Sequence, residues 1–216
     1  MSELEKNNFL NDLFNKSAEL PIVTIKNNVY TNHLLGISFE IPENWYIVSI
    51  QRFQQEGRKQ KFNNQYENIK HELIELFDSP IIVLTKLDID NDEYDGLVSP
   101  TINFSVDLKE NEYEEMKLFE YANEIDIEED ECLLKKFKIN KKGDVFEKDN
   151  SEFILFDSEY LFEHDELEEA VMVEFSVLNA DYNDFFLDFS MTQCKLQGQD
   201  TEEEFNSFIN SIKLNI

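Results

Sequence analysis

The stretch that decides the fold spans residues 30–50 and reads YTNHLLGISFEIPENWYIVSI. Within it, the five residues ISFEI at positions 37–41 alternate between apolar and polar side chains, and a period of two is typical of a half-buried β-strand. Gly36 precedes this strand and supplies a bend between it and residues 30–35. The stretch therefore predicts a hairpin around which the rest of the fold is organised.

A turn follows the hairpin and leads to the only tryptophan of the chain. Pro42 has no N–H group to donate to a strand ladder, so the residues IPEN at positions 41–44 predict a turn that ends the strand. That turn delivers Trp45 onto the next strand. Because Trp45 is the only tryptophan and directly follows this turn, we expect it to be a core residue whose truncation would be costly.

The order of these residues resembles the opening of the PsbP-like fold, which is shared by the photosystem II extrinsic protein PsbP and a Ran-binding nuclear-transport protein. The residues that carry the resemblance are Tyr30, the run GISFEI at 36–41, Pro42 and Trp45. A weaker likeness continues at residues 100–108 and in the helix expected from Thr201. The resemblance implies an α+β fold, with an antiparallel sheet flanked by helices, that serves as a binding module without family-wide catalytic residues. PsbP proteins enter the chloroplast on transit peptides, which this sequence lacks, so a bacterial cytoplasmic version is expected.

The charge balance of the chain is strongly acidic. Its 216 residues include 47 acidic and 19 basic side chains, which gives a net charge of −28. Contacts to phosphate need clustered cations, so this balance excludes nucleic acid and anionic membranes as expected partners. A basic protein partner is expected instead. The alternative is that the acidity serves solubility alone.

The location predicted for the chain is the cytoplasm. Its first residues, MSELEKNNFLNDLF, lack the basic region and apolar run of a secretory signal, and no run approaches the ~18 apolar residues that a membrane helix needs. Cys132 and Cys194 lie far apart and match no CxxC or zinc spacing, so we expect buried free thiols in a reducing compartment. No cofactor is predicted.

The chain is expected to consist of a short extension and one domain. Residues 1–20 carry a partial apolar stripe and are predicted to form a helical extension that Pro21 stops. Residues 21–216 are predicted to form a single PsbP-like α+β domain. Its antiparallel sheet is predicted to have about six to seven strands flanked by helices.

Hydrophobic runs and alternation predict most of the strands. The strands lie at residues 81–87, 102–108, 154–162, 171–177 and 185–191. The first two are expected to be neighbours in the sheet, and the last three an antiparallel meander. Phe137 and Ile139 before a turn, with Val145 after it, predict a further strand pair.

Helical spacing of apolar residues predicts the helices. They lie at residues 66–77, 112–123 and 201–212. In the second, Met116 and Phe119 are expected to face inward. Residues 51–65 are polar and are predicted to form a loop that runs into the first helix. A local basic cluster lies in that loop and consists of Arg58, Lys59 and Lys61.

An acidic run after the second predicted helix is the candidate partner-binding surface. Six of the eight residues from 124 to 131 are carboxylates, and such a density of charge cannot be buried. The run is therefore either a solvated face or an electrostatic contact patch. Its acidic residues are Glu124, Asp126, Glu128, Glu129, Asp130 and Glu131.

A second cluster of carboxylates is a weak candidate for a calcium site. The sequence DIDNDEYDG at residues 88–96 resembles a calcium loop, but Glu93 occupies the position of the sharp-turn glycine and Ser99 that of the closing glutamate. Clustered Asp is also expected by chance in so acidic a chain. The candidate ligands are Asp88, Asp90, Asp92 and Asp95.

Catalytic motifs are missing from the sequence. His33, His71 and His164 are isolated and are predicted to be ordinary surface residues, and no nucleophile elbow, P-loop or dinucleotide-binding motif occurs. The predicted function is a non-catalytic binding or adaptor module for a basic protein, with an immunity protein that masks a cationic toxin as a narrower hypothesis. An enzyme using surface carboxylates and a weak calcium-binding protein are the alternatives. The oligomeric state is left open.

Overall fold

The computed structural model describes residues 21–63, 80–91, 96–110, 113–123 and 132–215, together with Tyr66 and Tyr94. These residues are mostly antiparallel sheet with three α-helices. The strands are β1 (Val23–Lys26), β2 (Val29–Asn32), β3 (Ile37–Glu40), β4 (Tyr46–Val48), β5 (Ile82–Thr85), β6 (Thr101–Leu108), β7 (Lys135–Lys142), β8 (Phe146–Lys148), β9 (Ser151–Phe162), β10 (Val171–Tyr182), β11 (Phe185–Gln193) and β12 (Lys213–Leu214). The helices are α1 (Ile50–Gly57), α2 (Leu118–Asn123) and α3 (Glu202–Ser211).

The chain forms two compact units. Among the described residues, 21–43 and 203–215 belong to the first unit and those from Asn44 to Glu202 belong to the second. The helical extension predicted at residues 1–20 lies outside the described residues. The single domain predicted for 21–216 stays a prediction.

The first unit contains the hairpin that the sequence predicts. Its sheet has the order β1-β2-β3-β12, and β2 and β3 are antiparallel, with Tyr30 opposite Phe39 and their rings stacked at 4.7 Å. Gly36 has a φ of +69°, a left-handed conformation that favours glycine. Helix α3, all but its first residue in this unit, packs Phe208 edge-on against the Phe39 ring.

The second unit is built on an eight-stranded sheet. Its order is β4-β5-β6-β11-β10-β9-β7, and β8 also pairs with β9. The predicted β5–β6 pair and the β9–β10–β11 meander are confirmed. Trp45, which immediately precedes β4, is 8% exposed and so is buried as expected.

Helix α2 covers one end of this sheet. Leu118, Tyr121 and Ala122 are buried against apolar side chains of β9, β10 and β11, and the Tyr121 ring stacks on Phe186 at 4.1 Å. The prediction that Phe119 faces inward is wrong, because that side chain is 53% exposed. The short helix turns its Leu118 and Tyr121 face to the sheet instead.

Several predicted elements differ from the structure. The described residues form twelve strands rather than the six or seven expected, and short strands such as β1 and β12, of four and two residues, give little periodic signal in the sequence. Residues 50–57 are helix α1 rather than loop; Ser49 caps it by accepting a hydrogen bond from the N–H of Arg52. Strands β7 and β8 pair with β9 and not with each other. The helix predicted at 66–77 falls outside the described residues, apart from Tyr66.

Candidate functional site

A pocket of about 570 Å³ lies on one face of the second unit's sheet. Small polar side chains of the central strands β6 and β11 line it, and all of them are half-buried. They are Thr101, Asn103, Ser105, Ser190 and Thr192. Asn103 lies directly opposite Ser190 in the strand register, so the residues form a continuous polar row across two strands.

The polar row follows from the alternation of the two strands. On β6 and β11, one face carries Phe104 and Phe189, whose rings stack at 4.7 Å and which are fully buried. The positions between them point to the opposite face. A face that packs into a core is normally apolar, so a row of hydroxyl and amide groups indicates a surface that meets water or a ligand.

Aromatic side chains form much of the pocket wall. Tyr160 of β9 is buried and lies edge-on to both Phe162 and Phe175, with ring centroids 6.4 and 5.9 Å away. Phe53 of α1 and buried Phe62 add two more rings. The pocket therefore combines a hydrogen-bonding floor with apolar walls, the usual composition of a small-molecule site.

An ion-pair network borders the pocket. Lys59 Nζ lies 2.5 Å from Glu166 and 3.1 Å from Glu56, and Glu56 also pairs with Arg52 one helical turn away. Because Lys59 hydrogen-bonds it, Glu166 has its pKa lowered, and the same contact raises the pKa of Lys59. Each of the two carboxylates is thus held by at least one cation of the network.

His164 completes this network and corrects a prediction. It is 9% exposed and therefore buried rather than on the surface. Its Nδ1 accepts the Glu166 N–H at 3.2 Å, which leaves the proton on Nε2, 3.3 Å from the Glu56 carbonyl oxygen. By contrast, His33 is exposed as predicted and contacts Thr24 Oγ1 at 3.0 Å. His71 lies outside the described residues.

Among the described residues, Glu56, His164 and Glu166 could approach a metal ion together, since their ligand atoms lie within 4.8 Å of one another. A cation there must compete with Arg52 and Lys59, which already hold both carboxylates. Arg52 also pairs with Asp90, so three carboxylates share two cations, and the arrangement fits an ion-pair network better than a metal centre.

The residues proposed from sequence as sites are only partly described. Asp88 Oδ1 accepts the N–H of Asp90 at 3.1 Å, and Asp90 pairs with Arg52 at 3.3 Å, so both carboxylates have local partners. Asp92 and Asp95 lie outside the described residues. The whole acidic run from 124 to 131 does as well, and its role as a contact patch stays a prediction.

An acidic cleft of about 560 Å³ lies in the first unit. Four glutamates line it, and its described lining includes no Lys or Arg; the four are Glu40, Glu43, Glu203 and Glu204. The turn between β1 and β2 forms one side, with Asn27 and Asn28 both in the left-handed conformation. Glu203 and Glu204 also lie in the first turn of α3, where carboxylates favourably oppose the helix dipole.

Two carboxylates meet beneath α2. The Tyr121 hydroxyl contacts Asp107 and lies 2.6 Å from Asp188 Oδ2, while the Asn179 amide donates to the other oxygen of Asp188. Burial raises the pKa of Asp188 to about 7, and the nearby Asp107 carboxylate adds to that shift. Tyr121 and Asn179 occupy the oxygen atoms that a substrate would need, so we assign this cluster a structural role.

Comparison with known proteins gives only distant structural similarity. No protein-family model matches the chain, and no curated protein sequence matches it. Among solved structures it is similar to the solution structure of cyanobacterial PsbP (CyanoP) from Synechocystis sp. PCC 6803. The two share 9% identity over 90% of this chain and 94% of that one, with a TM-score of 0.45. This similarity gives no information on what the chain binds, so the binding partner is inferred from the chain's own residues.

Proposed function

We propose that this chain is a non-catalytic binding protein whose acidic surface engages a basic protein partner. The observation that carries the proposal is the cleft of the first unit, where Glu40, Glu43 and Glu203 are exposed around a concave surface whose described lining holds no cation. A concave site with this charge accepts Lys or Arg side chains of a partner. A solvated acidic face needs no such concavity.

The pairing of the lysines supports the same reading. Among the described residues, six lysines form ion pairs with carboxylates of the chain itself: Lys59, Lys61, Lys109, Lys135, Lys138 and Lys195. These six cations are thus engaged by carboxylates of the chain itself. With a net charge of −28, the field of the protein attracts cationic partners over distances near the Debye length, ~8 Å at physiological salt.

A narrower form of the proposal concerns the cellular compartment and the kind of partner. We infer a bacterial cytoplasmic protein, since the free and buried Cys132 and Cys194 suit a reducing compartment. An immunity protein that masks a cationic toxin has the required charge. Within the described residues, no helix is both long enough and apolar enough to cross a membrane.

The experiment is affinity capture with two baits of equal charge. The cleft variant carries Glu40→Gln, Glu43→Gln and Glu203→Gln. Its matched control carries Glu114→Gln, Glu115→Gln and Glu168→Gln, which are exposed carboxylates that do not line the cleft. We expect a basic protein to be retained by the wild type and the control and lost from the cleft variant. Equal retention by both variants would contradict the proposal.

A further inference from the structure

We propose that the pocket of the second unit binds an uncharged or cationic small molecule with a flat apolar body and at least one hydrogen-bonding group. This inference is independent of the basic protein partner, because it concerns a different unit and different residues. The volume of the pocket, about 570 Å³, falls within the range of roughly 300–1,000 Å³ that is typical of small-molecule sites.

The walls select for the apolar body. Tyr160, Phe162 and Phe175 contribute ring faces and edges from neighbouring strands, and Phe53 contributes a ring from α1. Aromatic rings pack favourably against flat ligands through offset or edge contacts. Tyr160 and Phe175 are fixed by their mutual contact in the sheet, so this part of the wall is formed without a ligand.

The floor supplies the polar contacts. Four hydroxyls and one amide lie side by side in the polar row, and each hydroxyl can donate and accept. The Asn103 Oδ1 atom is shielded and has no hydrogen-bond partner among the described residues. A buried amide oxygen without a hydrogen-bond donor is unfavourable. A ligand with a donor group would allow the Asn103 side chain to turn towards it and would satisfy this oxygen.

The charge of the lining excludes an anion. The described part of the wall holds Glu56, Asp88 and Glu166 but no Lys or Arg. An anionic ligand would approach three carboxylates without meeting a cation in the lining, and in a partly enclosed pocket such repulsion is screened less than in bulk water. Glu56 and Glu166 are paired with Arg52 and Lys59, so an uncharged ligand is accepted as well as a cation.

The test uses two dyes that share one ring system and differ in charge. N-phenylnaphthylamine is uncharged and anilinonaphthalene sulfonate is an anion, and both fluoresce more strongly in apolar surroundings. We expect the uncharged dye to bind the full-length protein with one-to-one stoichiometry and at least about tenfold more tightly than the anion. Equal affinities would overturn the charge argument.

Variants then locate the site. Ser190→Phe fills the floor of the pocket, and Asn206→Phe adds the same ring to an exposed position of α3 in the other unit. The first is expected to abolish binding of the uncharged dye, and the second to leave it unchanged. Thermal unfolding shows whether Ser190→Phe has folded.

A gain-of-binding variant keeps the proposal falsifiable if Ser190→Phe does not fold. Ser190→Lys places a cation in the floor and is expected to raise the affinity for the sulfonate at least about tenfold. No dye binding to the wild type, or binding that neither Ser190 variant alters, would show that the pocket is filled by other parts of the chain or is not a site.

Discussion

The Tyr121 hydroxyl oxygen lies 2.6 Å from Oδ2 of Asp188. The same hydroxyl contacts Asp107, yet a phenol carries a single proton and can donate to only one of them. The arrangement is satisfied when Asp188 is protonated and donates to Tyr121, which in turn donates to Asp107. This proton is part of the packing beneath α2 and makes stability sensitive to pH.

Removing the titrating carboxyl should change how stability depends on pH. The pKa of Asp188 is raised from 3.8 to about 7 in the folded state, so its stabilising contribution is fully present below the unfolded value and is lost as pH rises through the folded value. We expect Asp188→Asn, relative to wild type, to gain about 2–3 kcal/mol in unfolding free energy between about pH 5 and about pH 8. Denaturant unfolding at both pH values measures this.

The control for that variant is Asp184→Asn, an exposed carboxylate in the turn between β10 and β11. Its difference from wild type should be the same at both pH values. Lys109, which pairs with Asp181, lies over the same Phe186 ring on which Tyr121 stacks. Neither variant alters this ion pair. A pH-independent difference for Asp188→Asn would show that Asp188 does not titrate in this range.

Removing the hydroxyl alone should also be costly. Tyr121→Phe keeps the ring that stacks on Phe186 but leaves Asp107 and Asp188 without their shared partner. We expect a loss of about 1–3 kcal/mol at neutral pH, because an unpaired buried polar group has no compensating hydrogen bond. Tyr46→Phe, at an exposed tyrosine, is the control, and the two should differ clearly in urea unfolding.

Trp45 should contribute a large share of stability. Its side chain is 8% exposed, and truncation of a buried aromatic costs about 3–5 kcal/mol. Trp45→Ala is therefore expected to lower the melting temperature sharply. The neighbouring Tyr46 is 47% exposed, so Tyr46→Ala should have a much smaller effect. Melting of both variants within a degree or two of wild type would show that Trp45 is not a core residue.

Calcium should act on this protein only through diffuse charge. Asp88 and Asp90 are engaged with each other and with Arg52, so we expect millimolar Ca²⁺ to stabilise the fold little better than Mg²⁺. Calorimetry and thermal shifts with both ions measure this. One saturable, Ca²⁺-selective site that disappears in Asp90→Asn would contradict the expectation.

The sequence predicted the parts of the fold whose signal is local. Alternation of apolar and polar residues located the main strands β6, β9, β10 and β11. The bend at Gly36 and the turn at Pro42 located the hairpin. The short strands β1 and β12 escaped because runs of four and two residues give little periodic signal, whereas β3, also four residues long, was located with the help of the flanking Gly36 and Pro42. Helix α1 escaped because none of its residues is buried, so its polar sequence looked like a loop despite the Ser49 cap.

The candidate sites depended on contacts between distant residues. His164 looked isolated because its partner Glu56 is far away in sequence and reaches it only through the fold. The pocket floor does have a signal in the sequence. Small polar residues occupy alternate positions of two strongly apolar strands, Asn103 and Ser105 on one and Ser190 and Thr192 on the other. Only the register shows that these two strands are neighbours.

We expect acidic surfaces of this chain to steer and hold a basic protein, and association kinetics with a captured basic protein measure that steering. Rates are compared for the wild type, for the cleft and control variants, and for a variant neutralised at Glu128, Glu129 and Asp130, while salt rises from about 0.05 M to about 0.5 M. We predict that association slows by about tenfold or more as salt rises, that dissociation changes little, and that the cleft variant associates several-fold more slowly than the control. Association that is independent of salt and identical in all four proteins would contradict the account and leave the acidity as a determinant of solubility alone.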